Sequence, residues 1–220
     1  IARVKELVGG KVPVGTYVLG PYTLAGQIMD INMLLRFTIR KADKITDLLS
    51  RLTELINRVC LCYEEAGADY LTVREMSATT DILPPKIFAG MIKPHLQSIF
   101  SSIRVPKILH ICGGSLPIIQ EMLDCGADAL SVENKNSFGE ARARAGKAPL
   151  VFGNIDGYGV LVNGSGEDVR AEVVRCLEEG SDGIWPSCEI SLEAPLKNLK
   201  AMIEATKTYG EKLWRRKKTG

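Results

Sequence analysis

Two residues that often bind metal ions, His110 and Cys112, lie two positions apart at the end of an apolar run. In a β-strand, side chains two apart point to the same face, so both could reach one site. Cys188 ends another apolar run and could join them. One imidazole and two thiolates form a familiar catalytic zinc set, whose fourth position is left for water, a carboxylate or substrate. We therefore predict a zinc site with Glu133, also at a strand end, as the displaceable fourth ligand and catalytic carboxylate.

A second interpretation stays open from spacing alone, because a free cysteine is often only a small buried hydrophobe. The six cysteines lack the spacing of a small disulfide-bonded domain, so we expect thiols. Four of them fall on or beside predicted helices and are expected to pack: Cys60, Cys62, Cys125 and Cys176.

Short apolar runs alternate along the chain with longer amphipathic stretches, which is the pattern of buried parallel strands joined by helices. The predicted strands cover residues 13–19, 70–74, 107–112, 129–133, 150–153 and 183–186. The predicted helices cover about residues 42–66, 85–101, 116–124, 137–144, 167–179 and 195–208.

An internal repeat supports an assembly of β/α units. Segments 65–75, 124–134 and 178–188 each carry glycine at their third position, aspartate at their fifth, and then a short strand. Glycine suits a left-handed helix C-cap, and aspartate can stabilise the following turn. We predict a (β/α)8 TIM-type barrel whose functional groups lie at the carboxyl ends of strands. The six units form one domain over residues 1–220 and are two short of a closed barrel, so we expect further N-terminal units.

Composition excludes several classes of function. The chain is 45% hydrophobic and 25% charged, as expected for an ordinary globular domain, and its net charge of +2 gives no sign of a nucleic-acid partner. No apolar run approaches the roughly 20 residues that span a bilayer, so we expect no membrane partner and a cytoplasmic location. Neither a phosphate-binding glycine loop nor a Gly-x-Ser-x-Gly elbow appears, which argues against a nucleotide cofactor and a serine hydrolase.

Several motifs together resemble corrinoid-dependent methyltransferases related to uroporphyrinogen decarboxylase, in particular the methylcobamide:coenzyme M methyltransferases of methanogens. They are His110-Ile-Cys-Gly113, Gly153-Asn-Ile-Asp156, and Cys188 followed by residues 193–202. Residues 20–23 and 81–85 extend the resemblance over nearly the whole chain.

This resemblance implies that His110, Cys112 and Cys188 bind zinc and that Glu133 occupies the remaining position when substrate is absent. The implied reaction transfers a methyl group from a methyl-Co(III) corrinoid, held by a separate carrier protein, to a small thiol, with coenzyme M as the expected acceptor. An alkyl thiol with a pKa near about 8.5 is mostly protonated at neutral pH, and coordination to zinc deprotonates it.

Other residues allow two interpretations each. Asn154 and Asp156 could orient His110 or bind the corrinoid, or could only stabilise a turn. Tyr22 could line the pocket and contact the cofactor, or could simply pack. Asp81 could cap the helix that starts near residue 85.

Two other functions remain open at this point. A metal-free decarboxylase of the porphyrinogen class would not need Cys188, and a non-catalytic barrel could bind the corrinoid protein without transferring methyl groups. The chain also departs from the family pattern at Glu75-Met76, Gly157 and Glu189, close to the expected substrate pocket.

Overall fold

The computed structural model describes the backbone of residues 1–219 and the side chains of residues 1–213. It divides into two compact units, Ile1–Leu130 and Ser131–Gly220. Among the helices of residues 1–219, none combines the length and the apolar character that a bilayer crossing requires.

The first unit is built on parallel strands flanked by helices. Its strands are β1 (Gly15–Leu19), β2 (Tyr70–Arg74) and β3 (Lys107–Ile111). Its helices are α1 (Ala2–Val8), α2 (Pro21–Ile28), α3 (Ile31–Arg40), α4 (Ala42–Glu65), α5 (Pro85–Ile87), α6 (Lys93–Ser102) and α7 (Ile119–Leu123). Strands β1, β2 and β3 are neighbours in chain order, and all pairs are parallel.

Burial in the first unit follows the period of each element. Helix α4 buries one stripe of apolar residues spaced by three or four positions: Ile45, Leu49, Leu52, Ile56 and Cys60. The three central residues of β2 are all buried, as are the last four of β3. Such burial on both faces is typical of a parallel sheet covered by helices and leaves the strand ends as the places for polar chemistry.

The second unit contains fewer regular strands. Strand β4 (Ala129–Val132) crosses from the first unit into the second along the chain, and it is followed by α8 (Phe138–Ala145), β5 (Leu150–Phe152), α9 (Gly166–Glu178) and α10 (Leu196–Thr219). The predicted strand at 183–186 is present only as two parallel bridges, Phe152 with Gly183 and Ile155 with Pro186. Pro186 has no amide hydrogen to give to a ladder, which helps to explain the short pairing.

The internal repeat has the structural role that its residues predicted. All three of its glycines have positive φ: Gly67 (88°), Gly126 (88°) and Gly180 (96°). Each aspartate that follows accepts a hydrogen bond from a backbone N–H at or just before the neighbouring strand. The pairs are Asp69 with Val14 (2.7 Å), Asp128 with Lys107 (3.0 Å) and Asp182 with Val151 (2.9 Å). The repeat therefore fixes where each helix ends and the next strand begins.

Candidate metal centre

His110 and Cys112 meet at the carboxyl end of β3. His110 pairs with Arg74 in the register of β2 and β3, and only 1% of its surface is exposed. Cys112 is the first residue after the strand and is partly buried. The Nε2 atom of His110 lies 3.1 Å from the Sγ atom of Cys112, so the predicted alternation brings both donor atoms to one face.

The turn after Cys112 is held by the loop that follows β2. Gly113 has φ of 73°, and the backbone N–H of Gly114 donates to the carboxylate of Asp81 at 3.0 Å. The carbonyl oxygen of Gly114 accepts hydrogen bonds from the hydroxyls of Thr79 and Thr80. Asp81 thus accepts a hydrogen bond from this turn. Helix α5 has no side-chain cap, so the interpretation of Asp81 as its cap was wrong.

Glu75, the residue after β2, has a carboxyl group with no exposed surface. Its oxygens accept hydrogen bonds from the N–H of Tyr22 (3.0 Å), the N–H of Thr23 (2.7 Å) and the hydroxyl of Thr23 (2.5 Å). Desolvation raises the pKa of Glu75 to about 7, although these hydrogen bonds act to lower it. Glu75 therefore joins the start of α2 to the strand beside β3.

Tyr22 is fully buried, and its hydroxyl lies 2.9 Å from the hydroxyl of Thr38. A ring in this position contributes packing, which was the second of the two interpretations. It presents no surface to a corrinoid in this structure.

In the second unit, a cleft of about 290 Å³ contains both remaining ligand candidates. It is lined by Glu133, Asn134, Asp156, Gly157, Tyr158, Ser187, Cys188, Glu189 and Ser191. Glu133 and Cys188 are partly buried. Both side chains therefore line the cleft while part of their surface packs against the surrounding protein.

Ser187 positions the residue next to it, Cys188. Its backbone N–H donates to the carbonyl of Ile155 at 3.0 Å, and its hydroxyl accepts from the N–H of Asn134 at 3.1 Å. That hydroxyl can donate in turn to the carbonyl of Ile155 or to the side-chain oxygen of Asn134. This role of Ser187 could not be predicted from the sequence, because its partners lie 32 and 53 residues away.

Asn154 is buried, and its amide supports Glu133 rather than facing the cleft. The Nδ2 atom donates to the carbonyls of Glu133 (3.2 Å) and Asn136 (2.9 Å), while Oδ1 accepts from Arg175 at 2.9 Å. Arg175 is held by two ion pairs, with Glu172 on α9 and with Glu179 at the end of that helix. The side chain of Asn154 is thus engaged inside the second unit.

Asp156 closes a turn by accepting hydrogen bonds from the N–H groups of Tyr158 (2.9 Å) and Gly159 (2.8 Å). This is the turn-stabilising role that the sequence allowed. Unlike Asn154, Asp156 also lines the cleft and is only partly buried.

The donor atoms suit zinc. Each unit offers soft or borderline donors: an imidazole nitrogen and a cysteine sulfur in the first, and a cysteine sulfur in the second, where the Glu133 carboxylate lines the same cleft. Bond lengths of about 2.1 Å to nitrogen and 2.3 Å to sulfur at a tetrahedral angle require the two atoms to lie about 3.6 Å apart. The observed separation of 3.1 Å in the His110–Cys112 pair is within about half an ångström of that.

Comparison with known proteins identifies the family. A family model described as uroporphyrinogen decarboxylase (URO-D) matches residues 1–209. Methylcobamide:CoM methyltransferase MtaA of Methanosarcina barkeri is 32% identical over 210 residues, which are 95% of this chain and 62% of that protein. Uroporphyrinogen decarboxylase of Thermus thermophilus is 30% identical over 212 residues, covering 88% of this chain and 59% of the relative.

A solved structure of a methyltransferase from Methanosarcina mazei matches with a TM-score of 0.90 at 32% identity, over 94% of this chain and 62% of that one. The chain thus spans less than two thirds of the length of these relatives. The predicted α/β fold of the uroporphyrinogen decarboxylase type and the resemblance read from the motifs are both confirmed. The chain belongs to the uroporphyrinogen decarboxylase (URO-D) family.

Proposed function

We propose that this chain takes part in zinc-dependent transfer of a methyl group from a methyl-Co(III) corrinoid protein to a thiol, with coenzyme M as the expected acceptor. The similarity to the methylcobamide:CoM methyltransferase of Methanosarcina barkeri supports this type of reaction. The donor set at the strand ends supports the metal.

The observation that carries the proposal is the approach of His110 Nε2 to Cys112 Sγ at 3.1 Å. His110 is almost fully buried at the end of β3, and its nitrogen and the sulfur of Cys112 are both common zinc ligands. We propose that Cys188 completes the set and that Glu133 is the displaceable fourth ligand. The hydrogen bonds of Ser187 and Asn154 would then hold Cys188 and Glu133 in place.

Zinc, when bound, would supply the acidity that converts the substrate thiol into a thiolate at neutral pH. The protein would tune this reactivity, because two cysteine thiolates and a neutral imidazole nearly cancel the charge of the ion and leave the substrate sulfur electron-rich. The substrate sulfur would replace Glu133 as the fourth ligand. The thiolate would supply the electron pair of the new S–C bond, and the methyl-Co(III) corrinoid of the carrier protein, as co-substrate, would keep the electron pair of its Co–C bond.

Of the residues that were predicted to touch the corrinoid, Asp156 keeps this role in the proposal, because it is partly exposed at the cleft. Asn154 and Tyr22 are buried, so the proposal gives them no contact with the corrinoid. The corrinoid would arrive on its own carrier protein.

The test is zinc binding by the chain purified under a reductant. We expect about one zinc per chain, and at least about 100-fold weaker binding in Cys188→Ser, because a thiolate ligand is lost. Cys62→Ser is the matched control, since Cys62 is an exposed cysteine on α4, outside the proposed ligand set, and this variant should bind zinc normally. X-ray absorption should show one more sulfur around zinc after 2-mercaptoethanesulfonate is added.

A folded wild-type chain without zinc, or zinc affinity that is the same in Cys188→Ser and Cys62→Ser, would refute the proposal. Either result would favour the metal-free decarboxylase, whose curated relatives also match this chain.

A further inference from the structure

We propose that Asp81, together with Thr79 and Thr80, is a positioning element that sets the geometry of the Cys112 ligand. We call residues 79–81 the clasp. This inference rests on the proposed zinc site and assigns a role to residues outside the proposed ligand set.

Cys112 needs such support because it lies outside the strand. The ladder between β2 and β3 holds His110, whose carbonyl accepts the N–H of Glu75 at 2.9 Å, but β3 ends at Ile111. The position of the Cys112 sulfur therefore depends on the turn that follows. Metal ligands have to be held within about half an ångström of their productive geometry.

The clasp forms hydrogen bonds with both polar backbone groups of Gly114. The carboxylate of Asp81 accepts the Gly114 N–H at 3.0 Å, while the Gly114 carbonyl accepts the backbone N–H of Thr80 (2.8 Å) and the hydroxyls of Thr79 (2.9 Å) and Thr80 (2.8 Å). The hydroxyl of Thr79 also accepts the N–H of Asp81 at 3.2 Å. Hydrogen bonds to the N–H and to the carbonyl of Gly114 therefore hold the turn in place.

The clasp lies so close to Gly113 and Gly114 that neither position has room for a side chain. A Cβ atom at Gly113 would lie 2.6 Å from both Asp81 Oδ2 and Thr79 Oγ1, and one at Gly114 would lie 2.7 Å from Asp81 Oδ1. The two adjacent glycines therefore let the clasp reach the backbone directly. Each of these contacts lies within two residues of Cys112.

Asp81 is the best residue to vary, because it is exposed and its replacement should leave the fold intact. Asp81→Ala removes the acceptor for Gly114, whereas Asp81→Asn removes only the charge and keeps an acceptor oxygen. Asp69→Ala is a matched control in the same unit: Asp69 also accepts a backbone N–H, from Val14, but at the other end of the strands.

The readouts are zinc affinity, from competition with a chromophoric chelator, and the absorption spectrum of the Co²⁺-substituted protein. We expect Asp81→Ala to weaken zinc binding by about 10- to 100-fold and to change the cobalt d–d bands, as is typical when a group that orients a ligand is lost. Asp81→Asn should stay within about threefold of wild type with an unchanged spectrum. Asp69→Ala should lower the thermal midpoint without affecting either readout.

The inference fails if Asp81→Ala binds zinc with wild-type affinity and gives an unchanged cobalt spectrum, or if Asp81→Asn loses as much as Asp81→Ala, since charge alone would then explain the effect. Such results leave the zinc site standing as long as Cys188→Ser still loses zinc. Failure of the proposed function shows differently, because Cys188→Ser would then bind zinc as Cys62→Ser does.

Discussion

At the residue scale, Glu75 links protonation to stability. It is a carboxyl group without exposed surface, and burial raises its pKa from an ordinary value of 4.5 to about 7. The folded state therefore holds this proton more strongly than the unfolded state does. That contribution is fully present below about pH 4.5 and is lost as the pH rises through about 7.

We predict that Glu75→Gln flattens this dependence. In the metal-free wild type, the Glu75 contribution to the free energy of unfolding should fall by about 3 kcal/mol between pH 4 and pH 8, since each pKa unit corresponds to about 1.4 kcal/mol. Urea denaturation at several pH values measures it. Glu65→Gln, an exposed position at the end of α4, is the control and should retain the wild-type slope. Equal slopes in wild type and Glu75→Gln would contradict the prediction.

At the element scale, the turn after β3 combines two demands on one glycine. Gly113 needs a left-handed backbone, with φ of 73°, and it also needs space beside Asp81 and Thr79. Gly10 shares the first demand, with φ of 71°, but a Cβ atom there would meet nothing within 4 Å.

These two glycines form a matched pair for testing the turn. Gly113→Ala and Gly10→Ala should each cost about 1–2 kcal/mol from left-handed strain. Only Gly113→Ala should also weaken zinc binding, because its methyl group would push Asp81 and Thr79 away from Gly114. Thermal midpoints and chelator competition measure the two effects. Equal zinc affinity in both variants would show that the turn tolerates the displacement.

The sequence predicted most elements of the repeat because glycine, aspartate and an apolar run recur there in fixed order. It missed α2 and α3, although Asp30 caps α3 by accepting the N–H of Met33. Helix 85–101 is interrupted by a π-helical turn at Phe88–Ile92, where Pro94 has no amide hydrogen to give to Gly90.

Local periodicity was enough to predict that His110 and Cys112 lie close together, whereas contacts between distant loops could not be predicted. Alternation within β3 was enough to place His110 beside Cys112. The clasp could not be predicted, because Asp81 and Gly114 are 33 residues apart in loops without a period. The Gly113-Gly114 pair was the one available signal, since adjacent glycines after a ligand can mark a close backbone approach.

At the scale of the whole molecule, each unit has its own apolar interior. In the second unit, α9 and α10 pack around Ile155, Leu161, Val169, Val173, Cys176 and Ala201. The ring of Trp185 stacks on Phe152 in the same unit, with centroids 5.9 Å apart.

We predict that Val173→Ala destabilises the second unit by about 2 kcal/mol, because it removes two buried methyl groups and leaves a cavity. Leu192→Ala should have little effect, since Leu192 is fully exposed. Both tryptophans of the chain follow residue 131, so the urea midpoint of tryptophan fluorescence reports on this unit. A midpoint for Val173→Ala as high as that for Leu192→Ala would argue against this interior.

The buried cysteines outside the candidate centre bear on chemoselectivity. Desolvation raises the pKa of Cys60 to about 11 and that of Cys125 to about 12, and it also raises the pKa of Cys176. At neutral pH a thiol with a pKa of 11 is ionised in only about one molecule in ten thousand, and the thiolate is the reactive form. In the proposed function, zinc and an electrophilic methyl donor meet in one protein, and other thiolates of that protein would compete for the methyl group. Burial of these three sulfurs removes them as competing nucleophiles.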